Sequence, residues 1–153
     1  MRRFVAILAF LPALAAAQAP PCATPLQVAQ RLYQARDFYR RPQSLDGLLT
    51  PPFAHALETG LGCAKRKGVC SLDYDPWTDA QDGAIEGAPR FTLVSGGSLA
   101  TVLEVRMDYR LALGGTRWVK IELQRRGNGC WAVSDLISPD GDSLFARLSE
   151  PQE

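Results

Sequence analysis

Between Leu103 and Leu111 apolar and charged residues alternate without a break. Leu103, Val105, Met107, Tyr109 and Leu111 form one set, and Glu104, Arg106, Asp108 and Arg110 form the other. Successive side chains of an extended strand point to opposite faces, so this pattern requires a strand with one buried and one wet face. The pattern recurs after Gly114-Gly115, where Val119, Ile121 and Leu123 alternate with Lys120, Glu122 and Gln124. Gly96-Gly97 and Gly127-Asn128-Gly129 supply further turns. The reading is four antiparallel strands over 90–95, 99–112, 116–125 and 129–137.

A sheet with one apolar face needs a cover, and the first half of the chain supplies it. Thr24-Pro25-Leu26-Gln27 is a helix start: Thr24 caps, Pro25 suits the first helical position, and Gln27 completes a capping box. Val28, Leu32, Ala35 and Tyr39 recur at helical spacing, and Arg40-Arg41-Pro42 ends that segment. Thr50-Pro51-Pro52 opens a second helix with Phe53, Leu57 and Leu61 on one face, weakened by Gly60 and Gly62. A short helix over 142–149 returns Leu144, Phe145 and Leu148 to the body. Helices first and strands afterwards define an α+β fold: N-terminal helices packed on a curved antiparallel β-sheet, with a short C-terminal helix. That arrangement leaves room for a pocket between sheet and helices.

Met1-Arg2-Arg3, the apolar run Phe4–Leu14 and Ala15-Ala16-Ala17 have the layout of a cleavable secretory leader over residues 1–17. The run is shorter than the roughly 18 residues a membrane helix needs, so no membrane anchor is expected. Cys22 follows Ala19-Pro20-Pro21, unlike the cysteine of a lipoprotein. Residues 18–153 then form a single domain with its core at about 24–148, in the periplasm or outside the cell. Loss of Arg2 and Arg3 leaves 15 basic residues against 16 acidic ones, a balance that speaks against nucleic-acid binding.

Four cysteines, Cys22, Cys63, Cys70 and Cys130, lie beyond the leader. In an oxidising compartment they favour two disulfides. Of three connectivities, Cys63–Cys70 with Cys22–Cys130 is preferred: the first closes a local loop, and the second ties the mature N-terminus to a late strand. Chain entropy assigns about 2.5 kcal/mol to the short loop and nearly 5 kcal/mol to the long one. Their spacings of 41, 7 and 60 residues do not match the close pairs of a zinc ribbon. Cys-x-x-Cys, Gly-x-Ser-x-Gly, His-Glu-x-x-His and a phosphate loop are missing. The lone histidine, His55, lies about 200° around its helix from Phe53 and reads as a surface residue.

The segment Ser71–Gly83 carries Asp73, Asp75, Asp79 and Asp82. An EF-hand reading started at Asp73 places Trp77, Thr78 and Ala84 at positions 5, 6 and 12, and it fails. An irregular calcium site from Asp75, Asp79 and Asp82 competes with a structural reading, in which Asp75 precedes a Pro76 turn and Trp77 plugs the gap between sheet and helices. The expectation is no metal and no cofactor.

The run Asp75-Pro76-Trp77-Thr78-Asp79-Ala80-Gln81-Asp82 resembles the DP(F/W)-x-x-AQD signature of a bacterial exported family catalogued as domain of unknown function 3828. Leu48-Leu49-Thr50-Pro51, the strand Cys130-Trp131-Ala132-Val133-Ser134-Asp135-Leu136-Ile137 and the spaced Ser143-Leu144 and Leu148 add to the likeness. The resemblance covers about Thr24 to Leu148. It implies a cone of curved sheet wrapped on helices, similar to nuclear transport factor 2, and it implies no particular activity.

Three functions follow as expectations. A non-enzymatic binding module would hold a small apolar ligand in its cone or dock an envelope protein, as a disulfide-bonded inhibitor of an exported toxin or lytic enzyme does. An enzyme would use Tyr109 and Asp135 as an acid–base pair, with Asp135 sharing strand parity with Trp131 and Val133 and so turned inward. An assembly role as a homodimer, rather than a monomer, would use the sheet face, with Trp118, Arg106 and Arg110 as the interface residues. Binding is the preferred reading.

Overall fold

The structure is a computed structural model of the 153-residue chain. It describes residues 22–150 apart from Asp46, Val69, Ser71, Asp73, Asp82 and Ser98, and apart from the side chain of Lys67. The leader over 1–17 and Asp82 therefore lie outside the described residues.

Helix α1 (Pro25–Gln34) begins as the sequence dictates: Thr24 Oγ1 accepts the Gln27 amide at 3.3 Å and Gln27 Oε1 accepts the Thr24 amide at 2.9 Å. A one-turn 3₁₀ segment (Pro42–Leu45) leads to helix α2 (Pro51–Lys67). Four antiparallel strands follow in simple order: β1 (Ile85–Ser95), β2 (Val102–Leu111), β3 (Thr116–Arg125) and β4 (Trp131–Ile137). Helix α3 (Leu144–Ser149) closes the fold. The α+β architecture, with helices on one face of a curved antiparallel meander, is the one the two periodicities require.

The boundaries differ in instructive ways. Helix α1 stops at Gln34 instead of reaching Arg40, because the Arg36 carbonyl is taken by Trp77, whose indole N–H donates to it at 3.1 Å. Phe38 and Tyr39 are still buried, but from turns. Helix α2 runs through Gly60 and Gly62 to a C-terminus at Gly68, whose φ of 84° suits glycine. Gly60 marks a close approach: a Cβ there would stand 2.7 Å from Leu148 Cδ2, so the missing side chain lets α3 settle on α2. Strand β1 starts five residues earlier than expected, at Ile85.

The buried layer joins Leu32, Phe38, Phe53 and Leu57 to Val105, Met107, Val119, Ile121, Leu123 and Val133 of the sheet. Trp77 fills the space beside them, edge-on to Tyr33 and Phe38 with ring centroids 5.4 Å away in each case. Each such side chain contributes about 1.5–3 kcal/mol on burial. Aromatic rings thus occupy part of the space between sheet and helices, where one version of the binding reading places a small apolar ligand.

Both disulfides have the preferred connectivity. Cys22–Cys130 ties the entry to α1 onto the β3–β4 turn with a Cα separation of 5.2 Å, and Cys63–Cys70 closes the end of α2 at 6.0 Å.

Candidate functional site

The helices cover one face of the sheet and leave the other open. On β2 and β3 this outer face is made by the charged set of the alternation. Like charges stand directly opposite each other there, Glu104 across from Glu122 and Arg106 across from Lys120, so the ion pairs form along β2, diagonally between β2 and β3, and across to β1. Arg106 Nε lies 2.8 Å from Asp108 Oδ1, Lys120 Nζ lies 3.5 Å from Glu104 Oε2, and Arg110 Nε lies 3.6 Å from Glu86 Oε2. Glu122 accepts from the Ser134 hydroxyl at 2.7 Å. Glu86 and Arg90 join this face from β1, opposite Arg110 and Asp108. Sequence reasoning missed both, because Gly87, Ala88 and Pro89 hide the alternation there.

Trp118 sits within this charged face, opposite Asp108. It is half-buried, and the Arg106 guanidinium lies over its ring at 4.9 Å from the centroid. Terminal helix α3 packs on α2 and β4, away from this position. Arg106, Trp118 and Arg110 therefore share one face, as the strand parity requires. Each exposed ion pair contributes at most about 1 kcal/mol. The arginine–indole stack adds a large apolar surface that stays accessible from one side.

Tyr109 and Asp135 are both buried, at 4% and 8% exposure, yet the structure does not bring them together. Tyr109 lies opposite Arg117 on β3 and Asp135 lies opposite Glu122, five residues along the same strand. That places them about 17 Å apart along the strand direction alone. The parity expected for Asp135 is broken by a bulge: Leu123 pairs with Val133 but Glu122 pairs with Asp135, so Ser134 is an extra residue. Asp135 leaves the Val133 row and turns to α3. Its Oδ1 accepts the amides of Leu136 at 2.7 Å and Phe145 at 2.8 Å, and its Oδ2 accepts the Ser143 hydroxyl at 2.5 Å. Ser143 Oγ in turn caps α3 by accepting the Ala146 amide at 2.9 Å. The carboxylate is a clamp on the last helix.

The Tyr109 hydroxyl is buried with no hydrogen-bond partner among the described residues. Burial pushes its pKa up to about 12, opposed by Arg117 and reinforced by Asp75 and Asp79. A phenol held neutral this firmly is a poor base at neutral pH.

The acidic segment forms a compact turn. Asp75 Oδ1 accepts the Trp77 amide at 2.9 Å, and the Asp75 and Ala80 backbones pair. Burial holds the Asp75 carboxyl above its ordinary range, against the Trp77 amide, Arg36 and Arg40, which lower it. Asp79, in a left-handed conformation with φ of 51°, is exposed at the turn's end. Pro76 and Trp77 are buried beneath it and Gln81 is exposed beside it. No group of three or more His, Cys, Asp or Glu side chains among the described residues is placed to hold a metal ion. Trp131 and Asp135 belong to β4, with the Arg125 guanidinium 4.8 Å from the Trp131 ring centroid. His55 is exposed on α2.

One groove of about 680 Å³ lies between the start of α2 and the β3–β4 turn, lined in part by Thr50, Pro51, Glu58 and Arg126. Arg126, also unforeseen, donates from Nη2 to the Leu49 carbonyl and so serves the chain entering α2.

No protein-family model matches the chain, and no curated protein matches it. The two disulfides fit an extracellular or periplasmic protein. Among the described residues no helix is long and apolar enough to cross a membrane.

Proposed function

We propose that the chain is an exported, non-enzymatic binding domain, related to the family of unknown function 3828 and folded like nuclear transport factor 2, that docks a protein partner of the cell envelope on its outer sheet face. The observation that carries this reading is Trp118, half-buried on the uncovered face and stacked under Arg106. Tryptophan and arginine dominate interface energetics, and a stacked pair is already ordered before a partner arrives. The aromatic filling of the interior favours a surface site over an internal one, and the use of Asp135 in capping weakens the acid–base alternative. A secreted toxin or lytic enzyme is the kind of partner that a small disulfide-tied domain neutralises. The leader over 1–17 and the two disulfides support the location.

Site-specific photocrosslinking in the native cell tests this. A photoreactive residue at Lys120 or Arg110 is expected to give one adduct of defined mass, lost with Trp118→Ala. The same probe at Glu58 or Arg31, on the helices, is expected to give none. Equal adducts from both faces, or none from either, would refute it.

A further inference from the structure

The meander has two edges, and the described residues cover only one. Along β4 the Thr50 amide donates to the Val133 carbonyl at 2.8 Å, the Val133 amide donates to the Leu48 carbonyl at 2.9 Å, and Ser143 bridges Ile137. Along β1, no described residue pairs with the outer side.

Hydrogen-bond parity identifies the free groups. The Ala112 amide donates to the Ala84 carbonyl and the Leu111 amide donates to the Gly115 carbonyl. Even-numbered residues of β2 therefore face β1 with their backbone groups, and odd-numbered ones face β3. The β2–β3 register is unbroken from Val102 to Arg110, so this parity holds along β2. Arg90 and Thr92, opposite Asp108 and Arg106, direct their groups to β2. Phe91 and Leu93 direct theirs outward.

Edge strands are normally blunted by proline, charge or bulges. The first half of β1 has all three, in Pro89, Arg90 and the register break between Glu86 and Arg90. The second half, Phe91-Thr92-Leu93-Val94, meets one register break, between Leu93 and Ser95, but has no charge, proline or glycine and consists of good strand formers. Leu93 and Val94 are 43% and 50% exposed, and Leu99 on the adjoining turn is 92% exposed.

We propose that this edge pairs with the same edge of a second copy, antiparallel about a two-fold axis through Thr92. The backbone selects that register. It sets Phe91 of each copy opposite Leu93 of the other, and the free amides and carbonyls of both form four hydrogen bonds. Centring on Phe91 instead sets Leu93 opposite Pro89, which has no N–H. Centring on Leu93 sets Phe91 opposite Ser95, whose groups face Glu104 of β2. Registers centred between residues set Thr92, whose groups face β2, opposite Phe91 or Leu93. In the Thr92 register the Phe91 and Leu93 side chains meet on the helix side, and Arg90 faces Val94 with no like charge opposite. The occupant is a second copy because the edge complements itself. A short edge buries less than the roughly 1,600 Å² of a standard interface, so a weak, concentration-dependent association is expected. The pairing is independent of the outer-face reading, since Trp118 lies on a different strand.

Sedimentation equilibrium of the oxidised full chain is expected to show a monomer–dimer equilibrium, abolished by Leu93→Lys with an unchanged thermal melt. Thr92→Cys provides a second test. Across the axis the two Cα atoms stand about 4.5 Å apart, within disulfide reach. Thr92→Cys is expected to yield a covalent dimer on oxidation. Arg90→Cys is expected not to, because its own copy in the second chain lies about 13 Å along the strand. A monomer at every concentration, open-ended assembly, a dimer that survives Leu93→Lys, or equal crosslinking at positions 90 and 92 would each overturn the proposal.

Discussion

Replacing Asp135 by alanine removes one carboxylate and with it the acceptor of three hydrogen bonds. The Leu136 bond is local, but the bonds to Ser143 Oγ and the Phe145 amide reach across eight and ten residues and hold the start of α3 to β4. Hydrogen bonds to a charged acceptor contribute about 1.5–3 kcal/mol each, and the two long-range ones share a single carboxylate and are not additive. The Phe145 amide is also one of the four N–H groups that a helix cannot satisfy internally, so losing its acceptor leaves it bare. The expected loss for Asp135→Ala is about 3–5 kcal/mol. At roughly 2.1 cal/mol/K of unfolding entropy per residue, over about 130 ordered residues, this lowers Tm by about 10–18 °C.

Asp135→Asn separates the clamp from simple polarity. Its side-chain oxygen still accepts from Leu136 and Phe145, but the amide nitrogen cannot accept from Ser143, and the expected loss falls to about 1–2 kcal/mol. Urea unfolding with both disulfides intact measures both variants, and an unchanged m-value shows that the native state has kept its compactness. Ser143→Ala in the same background completes a double-mutant cycle, with a coupling of about 1 kcal/mol or more expected between residues in one network. An alanine variant within about 1 kcal/mol of the native protein, or an asparagine variant as damaged as the alanine one, would refute the clamp.

Other expectations follow from the same geometry. Tyr109→Phe removes a buried hydroxyl that has no partner among the described residues, so its stability at neutral pH stays within about 1 kcal/mol of the native protein or rises. Above pH 10 the unfolded chain ionises this phenol while the folded chain holds it neutral up to about 12, so its contribution is complete below pH 10 and is lost as pH rises to about 12. Alkaline denaturation curves that coincide for the native protein and Tyr109→Phe would contradict this. Trp77→Ala is expected to cost about 3–5 kcal/mol in chemical denaturation, as the core loses its plug and the Arg36 carbonyl its donor; a loss below about 1 kcal/mol would count against that role. Breaking Cys22–Cys130 is expected to destabilise more than breaking Cys63–Cys70, by about 2 kcal/mol, because the cysteines are 108 residues apart against 7. Paired serine variants measure the difference, and the reverse order would show that chain entropy does not govern these bonds.

Strand β3 was legible to the residue, 116–125, because glycine turns bound it and its alternation is unbroken. Helix α1 was overextended because Tyr39 is buried at a helical multiple from Val28, yet it reaches the core from a turn after Trp77 has captured the Arg36 carbonyl. One-dimensional periodicity reports burial and cannot tell which backbone delivers it. Helix α2 was read as weakened at Gly60 and Gly62, ahead of the Cys63–Cys70 loop, because helix propensity counts glycine as a cost, while the benefit, room for Leu148, lies 88 residues beyond Gly60 along the chain. The Cys63–Cys70 loop was readable from spacing alone, since few partners compete at that distance.

The candidate site shows the same division more sharply. Alternation was enough to put Arg106, Arg110 and Trp118 on one face, because β2 and β3 pair without a register break. Asp135 was misplaced where β4 breaks its pairing with β3, although a trace of the break is visible in the sequence. Apolar residues fall at Trp131 and Val133, two apart, and then at Leu136, three further on. A step of three in a period of two is what one inserted residue leaves behind. Read that way, Ser134 is the extra residue and Asp135 lies out of the Val133 row, free to face the Ser143 that ends the next turn. The same logic applies to β1, where Gly87, Ala88 and Pro89 interrupt the pattern before Phe91 and Leu93 resume it. Regular alternation thus accounts for the sheet and its charged face. Its interruptions account for the clamp on α3 at one edge, and at the other for the half of β1 that proline, charge and a register break guard together.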